Sequence, residues 1–70
     1  MHRQSVVSSD LSAVGHDASQ RVLEIEFLSG SVYQYSGVPA SIYQGLMTAS
    51  SHGRYFHAYI RSSFPYVRIR

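Results

Sequence analysis

The run Leu23-Glu24-Ile25-Glu26-Phe27 alternates apolar and acidic side chains, closes on Ser29-Gly30, and is answered by Val32-Tyr33-Gln34-Tyr35. A period of two on both sides of a glycine turn demands an antiparallel hairpin with one buried and one wet face. Its register decides what the tyrosines do. A Ser29-Gly30 loop would pair Phe27 with Val32 and leave Tyr33 and Tyr35 on the glutamate face. A Leu28-Ser29-Gly30 loop, with Gly30 left-handed in a bulge, pairs Phe27 with Ser31 and sets both tyrosines beside Leu23, Ile25 and Phe27. A one-residue slip flips every side chain, so the hydrophobic pattern selects between the two. It favours the second, because the opposite face then reads Glu24, Glu26, Val32, Gln34 and Ser36. Tyr33 and Tyr35 are therefore expected on a helix-covered face, as structural residues, with at least one hydroxyl reaching a partner or solvent.

The rest of the chain has to cover that face with little material. Its 70 residues suffice for one domain, spanning 1–70 with the first few residues expected to be flexible. There is no cysteine, which removes disulfides and zinc–thiolate sites, so six tyrosines, three phenylalanines and the branched aliphatics must supply the core. Leu11 to His16 reads as a first strand broken at Gly15, and Asp17-Ala18-Ser19-Gln20 as a turn. Gly37-Val38-Pro39 opens a helix carrying Ile42, Leu46 and Ala49 on one side. After Ser50-Ser51-His52-Gly53 a second helix follows, with a serine cap. It gathers Tyr55, Phe56, Tyr59 and Ile60 on one side and Arg54, His57, Ala58 and Arg61 on the other. Pro65 starts a closing strand over Val67-Arg68-Ile69-Arg70. The expected fold is α+β: a small antiparallel sheet, a meander plus a C-terminal strand, with two short helices packed on one face. No apolar run approaches the roughly 20 residues of a membrane span, and no signal-peptide block follows the N-terminus. The chain reads as cytoplasmic.

The order of these signals resembles the KTSC domain family. The matching residues are Ser8-Ser9, Leu23-Glu24-Ile25-Glu26-Phe27 leading into Gly30, Tyr33-Gln34-Tyr35 and Gly37-Val38-Pro39. They continue with Ser51-His52-Gly53-Arg54-Tyr55-Phe56, Ile60-Arg61 and Pro65-Tyr66, so the likeness spans roughly residues 5–69. Two positions depart from the family's pattern: His16, where a tyrosine is common, and His57, where an asparagine usually follows the Tyr-Phe pair. The resemblance implies a bacterial protein. The family occurs as stand-alone small proteins and at the C-terminus of some lysyl-tRNA synthetases, and that second context implies an association with RNA.

Charge is distributed unevenly. Residues 1–30 carry Arg3 and Arg21 against Asp10, Asp17, Glu24 and Glu26. Residues 52–70 carry Arg54, Arg61, Arg68 and Arg70 with no acid, and there is no lysine anywhere. A basic C-terminal third points to an anionic partner, while the bland alternative is a merely solvated face. Two binding functions follow. The first is a protein-interaction or self-association module, since a small sheet rimmed by arginine and tyrosine suits a protein partner or a homodimer. The alternative is RNA binding, with Arg54, Arg61, Arg68 and Arg70 on phosphates and Tyr43, Tyr55 and Tyr66 stacking on bases. Catalysis is not expected: there is no cysteine nucleophile and no Gly-x-Ser-x-Gly elbow. Glu24 and Glu26 read as a solvated strand face. His52 and His57 are five apart, the wrong spacing for a helical metal pair, and read as surface histidines. No metal, cofactor or membrane is expected.

Overall fold

The computed structural model describes residues 1–70. Five strands form one sheet in sequence order: β1 (Gln4–Ser5), β2 (Leu11–Asp17), β3 (Val22–Phe27), β4 (Val32–Ser36) and β5 (Tyr66–Arg68). All neighbours are antiparallel. Helices α1 (Ala40–Thr48) and α2 (His52–Tyr59) lie between β4 and β5 and cover one face. This is the expected α+β architecture.

The β3–β4 hairpin takes the register that the hydrophobic pattern favours. Ile25 faces Tyr33, Leu23 faces Tyr35, and the Phe27 N–H donates to the Ser31 carbonyl. Gly30, at φ 96°, supplies the left-handed residue of the loop, a conformation most side chains resist. Leu23, Ile25 and Tyr35 join Leu11, Val14, Val38, Leu46, Phe56 and Ile60 in one core. Leu11 and Val14 are three apart, yet both point inward, because the β2–β3 register shifts between Leu11 and Ala13. That bulge is why the alternation of the first strand looks weak in the sequence.

Pro39 sits one position earlier than the first helical turn, as the extended residue that α1 starts from, and its carbonyl accepts from the Ile42 and Tyr43 N–H groups. Ser51 caps α2 as expected, its Oγ accepting from the Arg54 N–H at 3.3 Å. The turn after β2 is held by Asp17, whose Oδ1 accepts from Ser19 Oγ at 2.8 Å and from the Ser19 and Gln20 N–H groups. Those bonds, the Ser19 hydroxyl foremost, hold the Asp17 carboxyl below its usual range.

The acidic face is the main departure from the sequence reading. Glu24 is not a solvated strand residue: it is 6% exposed. Arg3 Nε lies 3.3 Å from one of its oxygens and Gln34 Nε2 donates to the other at 2.9 Å. Arg3 also reaches Glu26, at 3.6 Å. Residues 1–3, which carry no strand pattern, are drawn across this face by charge and by a close approach at Gly15. A Cβ there would stand 2.6 Å from the His2 carbonyl oxygen.

Candidate binding cleft

The two helices leave part of the inner sheet face open, and the gap is a cleft of about 480 Å³. Its floor is aromatic. Tyr33 and Tyr35 on β4 and Tyr66 on β5 lie side by side, with ring centres 5.4 Å apart for Tyr33–Tyr66 and 5.5 Å for Tyr35–Tyr66. Phe27 meets Tyr33 edge to face at 5.6 Å, and Phe56 from α2 meets both Phe27 and Tyr35 in the same manner. Edge-to-face packing of this kind adds to the burial energy of the rings and holds them in place. The wall on the helix side is His57, Arg61 and Ser62; the opposite end is the hairpin loop from Leu28 to Ser31.

Tyr35 is the deepest tyrosine, 3% exposed. Burial first, then the neighbouring Tyr33 and Tyr66 hydroxyls, push its phenol up to about 12, while Arg61 pulls the other way. The phenol is therefore a neutral hydrogen-bonding group at the bottom of the cleft. No side-chain nitrogen or oxygen in the protein is both buried and unpartnered.

A charged ridge bounds the cleft. His57 Nε2 lies 3.2 Å from Asp10 Oδ2, and Arg61 approaches His57 Nδ1 at 3.5 Å. In this arrangement Nε2 of His57 faces Asp10 and Nδ1 faces Arg61. Both ring nitrogens are thereby engaged, and neither is presented to a hydroxyl as a general base would be. Beyond the ridge, Ser9, Asp10, Ser51, Gly53 and Arg54 line a second, polar groove.

The structure sorts the residues the sequence singled out. Tyr33, Tyr35, Tyr66 and Arg61 line the cleft. Arg68 stands opposite Tyr33 in the β4–β5 register and so lies on the same face. Arg54 lines the adjoining groove across the ridge. The other three are elsewhere. Arg70 turns to Glu26, 3.4 Å away. Tyr43 stacks on His16, with ring centres 4.9 Å apart, while His16 Nε2 lies 2.9 Å from the Val38 carbonyl. Tyr55 packs on Gly45 and Tyr59 where the helices meet. The sequence reading missed Asp10, Phe27, Leu28 and Ser62. Phe27 was findable, since the favoured register aligns it with both tyrosines. Asp10 was not, being 47 residues from the histidine it pairs with.

An open five-stranded antiparallel meander sheet with a helix pair on one face defines a small α+β domain. Residues 7–64 match the family model of the KTSC domain, and the chain belongs to that family. An uncharacterized protein of Stutzerimonas stutzeri is 40% identical over 99% of both chains. The lysine–tRNA ligase of a Nostoc species is 36% identical over 87% of this chain, which spans 11% of that enzyme. The crystal structure of a KTSC domain protein from Yersinia pestis superposes with a TM-score of 0.96 at 40% identity, covering 99% of this chain and 97% of the other.

Proposed function

We propose that this protein is a non-enzymatic binding module whose ligand is an extended protein segment laid across the tyrosine cleft. The observation that carries this reading is the packing of the floor. The faces of Tyr33 and Tyr35 are turned to each other and to neighbouring rings, and among the floor rings only Tyr66 is more exposed than buried. Stacking of successive bases needs several free ring faces. An apolar side chain inserted between fixed rings, with its backbone meeting tyrosine hydroxyls, needs only the cleft. Both ring nitrogens of His57 already face side chains, Asp10 on one and Arg61 on the other, which speaks for binding over catalysis.

RNA is the second reading, favoured by two observations: Arg54, Arg61 and Arg68 lie on the cleft side of the molecule, and relatives named lysine–tRNA ligase contain a segment like this chain. The synthetase likeness also supports a cytoplasmic setting. No helix is long and apolar enough to cross a membrane.

One experiment separates the two readings. Random peptides are selected against the folded domain and rescreened on Tyr66→Ser; in parallel, amide shifts are followed on adding bulk tRNA at low and at physiological salt. Peptides that need Tyr66 and bind regardless of salt support the protein reading. No enriched peptide, with tRNA shifts at Arg54, Arg61 and Arg68 that fade steeply with salt, replaces it with RNA binding.

A further inference from the structure

β5 is the last strand of the sheet, and its outer edge is uncovered. Tyr66, Val67 and Ile69 are 56%, 60% and 51% exposed, and all three residues of the strand are open to solvent. The ladder to β4 decides which main-chain groups stay free. The Ser36 N–H donates to the Pro65 carbonyl, the Ile69 N–H donates to the Val32 carbonyl, and Val67 lies opposite Gln34. Residues 65 and 67 thus turn their main-chain groups toward β4, and Ile69 and Arg70 share Val32 in a bulge, the Val32 N–H donating to the Arg70 carbonyl. The alternation of an antiparallel ladder then turns those of Tyr66 and Arg68 outward. Two donors and two acceptors stand in a row beside an exposed valine, an unpaired edge of the kind that recruits another strand.

We propose that a second copy of this chain pairs with that edge, antiparallel, about a two-fold axis through Val67. Three registers bring outward groups together, and charge and geometry select one. An axis at Arg68 would set that guanidinium against the partner's Arg68, a like-charge cross-strand pair. An axis at Tyr66 would match Arg68 with the partner's Phe64, which lies before the strand begins. The axis at Val67 matches Tyr66 with the partner's Arg68 on both sides. All four outward N–H and C=O groups of each copy's two residues are then used, in four hydrogen bonds. Val67 meets the partner's Val67 in the close, non-hydrogen-bonded pair at the axis, and each Tyr66 ring gains a guanidinium neighbour.

The features that usually blunt an edge do not block this arrangement. Pro65 lacks its N–H on the side facing β4, and Arg68, whose Nε donates to the Arg70 carbonyl at 3.1 Å, would turn in the dimer to the partner's Tyr66 ring. At the other end of the sheet β1 pairs for only two residues, too short an edge to compete. Antiparallel pairing about an axis normal to the sheet keeps like faces on one side. The two tyrosine clefts would open side by side, each with the partner's Arg68 at its rim. The contact is small, so the dimer is weak and forms at high protein concentration. The pairing does not depend on what the cleft binds.

The chain has no cysteine, which permits a clean test. Facing residues of a non-hydrogen-bonded pair have Cα atoms about 4.5 Å apart, within the range a disulfide spans. Val67→Cys should oxidise to a covalent dimer far faster than Leu28→Cys, an equally exposed site on the hairpin loop at 60%. Arg68→Pro removes an outward N–H while leaving the ladder to β4 intact. Two hydrogen bonds are lost by symmetry, so sedimentation equilibrium should show dimerisation weakened about tenfold or more. Equal crosslinking at positions 67 and 28 would overturn the proposal, as would a folded Arg68→Pro that dimerises like the parent. Should Arg68→Pro fail to fold, the cysteine pair alone decides. A strict monomer that still selects peptides would refute the dimer and leave the cleft reading standing.

Discussion

At the scale of single residues, Tyr35 ties burial to a measurable pH dependence. Its phenol rises from the usual 10.0 to about 12 in the folded chain, mainly through burial. The unfolded chain loses this proton first, so the stability linked to it is fully present below pH 10 and is lost as pH rises toward 12. The loss amounts to about 2–3 kcal/mol. Tyr35→Phe should flatten that alkaline limb in urea titrations, and tyrosinate absorbance should lose its latest-titrating component. An unchanged limb would mean that Tyr35 ionises as freely folded as unfolded. Gly15 offers a second test at this scale. Its missing side chain is what lets the His2 carbonyl approach, so Gly15→Ala must push residues 1–3 away and strip Arg3 from Glu24. A loss of about 1–3 kcal/mol by thermal or urea unfolding is expected.

At the scale of elements, α2 is the piece the rest depends on, because its Phe56 closes the core and walls the cleft at once. Phe56→Ala should cost about 3–5 kcal/mol, enough to unfold most molecules of a domain this small. Phe27→Ala should cost less, since Phe27 is only partly buried against that core and opens to the cleft. Comparing the two urea midpoints checks this order. The hydrophobic face of α2 was legible because Phe56 and Ile60 recur at helical spacing, and the hairpin register because only one choice segregates Glu24 and Glu26 from the tyrosines. The cleft was legible in part: Tyr66 and Arg61 stood out as binding candidates, whereas Tyr33 and Tyr35, which form its floor, were expected only as structural residues. What failed to show has physical causes. The bulge in β2 breaks the period that identifies a strand. β1 is held by charge and a glycine and not by an apolar pattern. The Asp10–His57 ridge joins residues that no local rule connects.

At the scale of the whole molecule, the arrangement of charge separates arginines that hold the fold from arginines free to meet a ligand. Along the chain, the basic third offers Arg54, Arg61, Arg68 and Arg70 alike. Folding brings Arg70 to the outer face beside Glu26, while Arg3 from the acidic third clamps Glu24 and Glu26. The two outer-face pairs are unequal. Arg3 is 25% exposed and serves a buried carboxylate, so Arg3→Ala leaves Glu24 with Gln34 alone. Removing one partner of a fully buried pair costs about 3–5 kcal/mol; with Arg3 partly solvated, about 1–3 kcal/mol is expected. Arg70 is 61% exposed, and its pair is of the surface kind, worth about 0–1 kcal/mol. Arg70→Ala should therefore leave both the unfolding midpoint and any cleft ligand nearly untouched. Arg61→Ala should spare the midpoint but weaken the ligand, whether peptide or RNA. If Arg70→Ala weakens binding as much as Arg61→Ala does, the ligand reaches around the edge of β5 to the outer face, and the cleft is only part of the site.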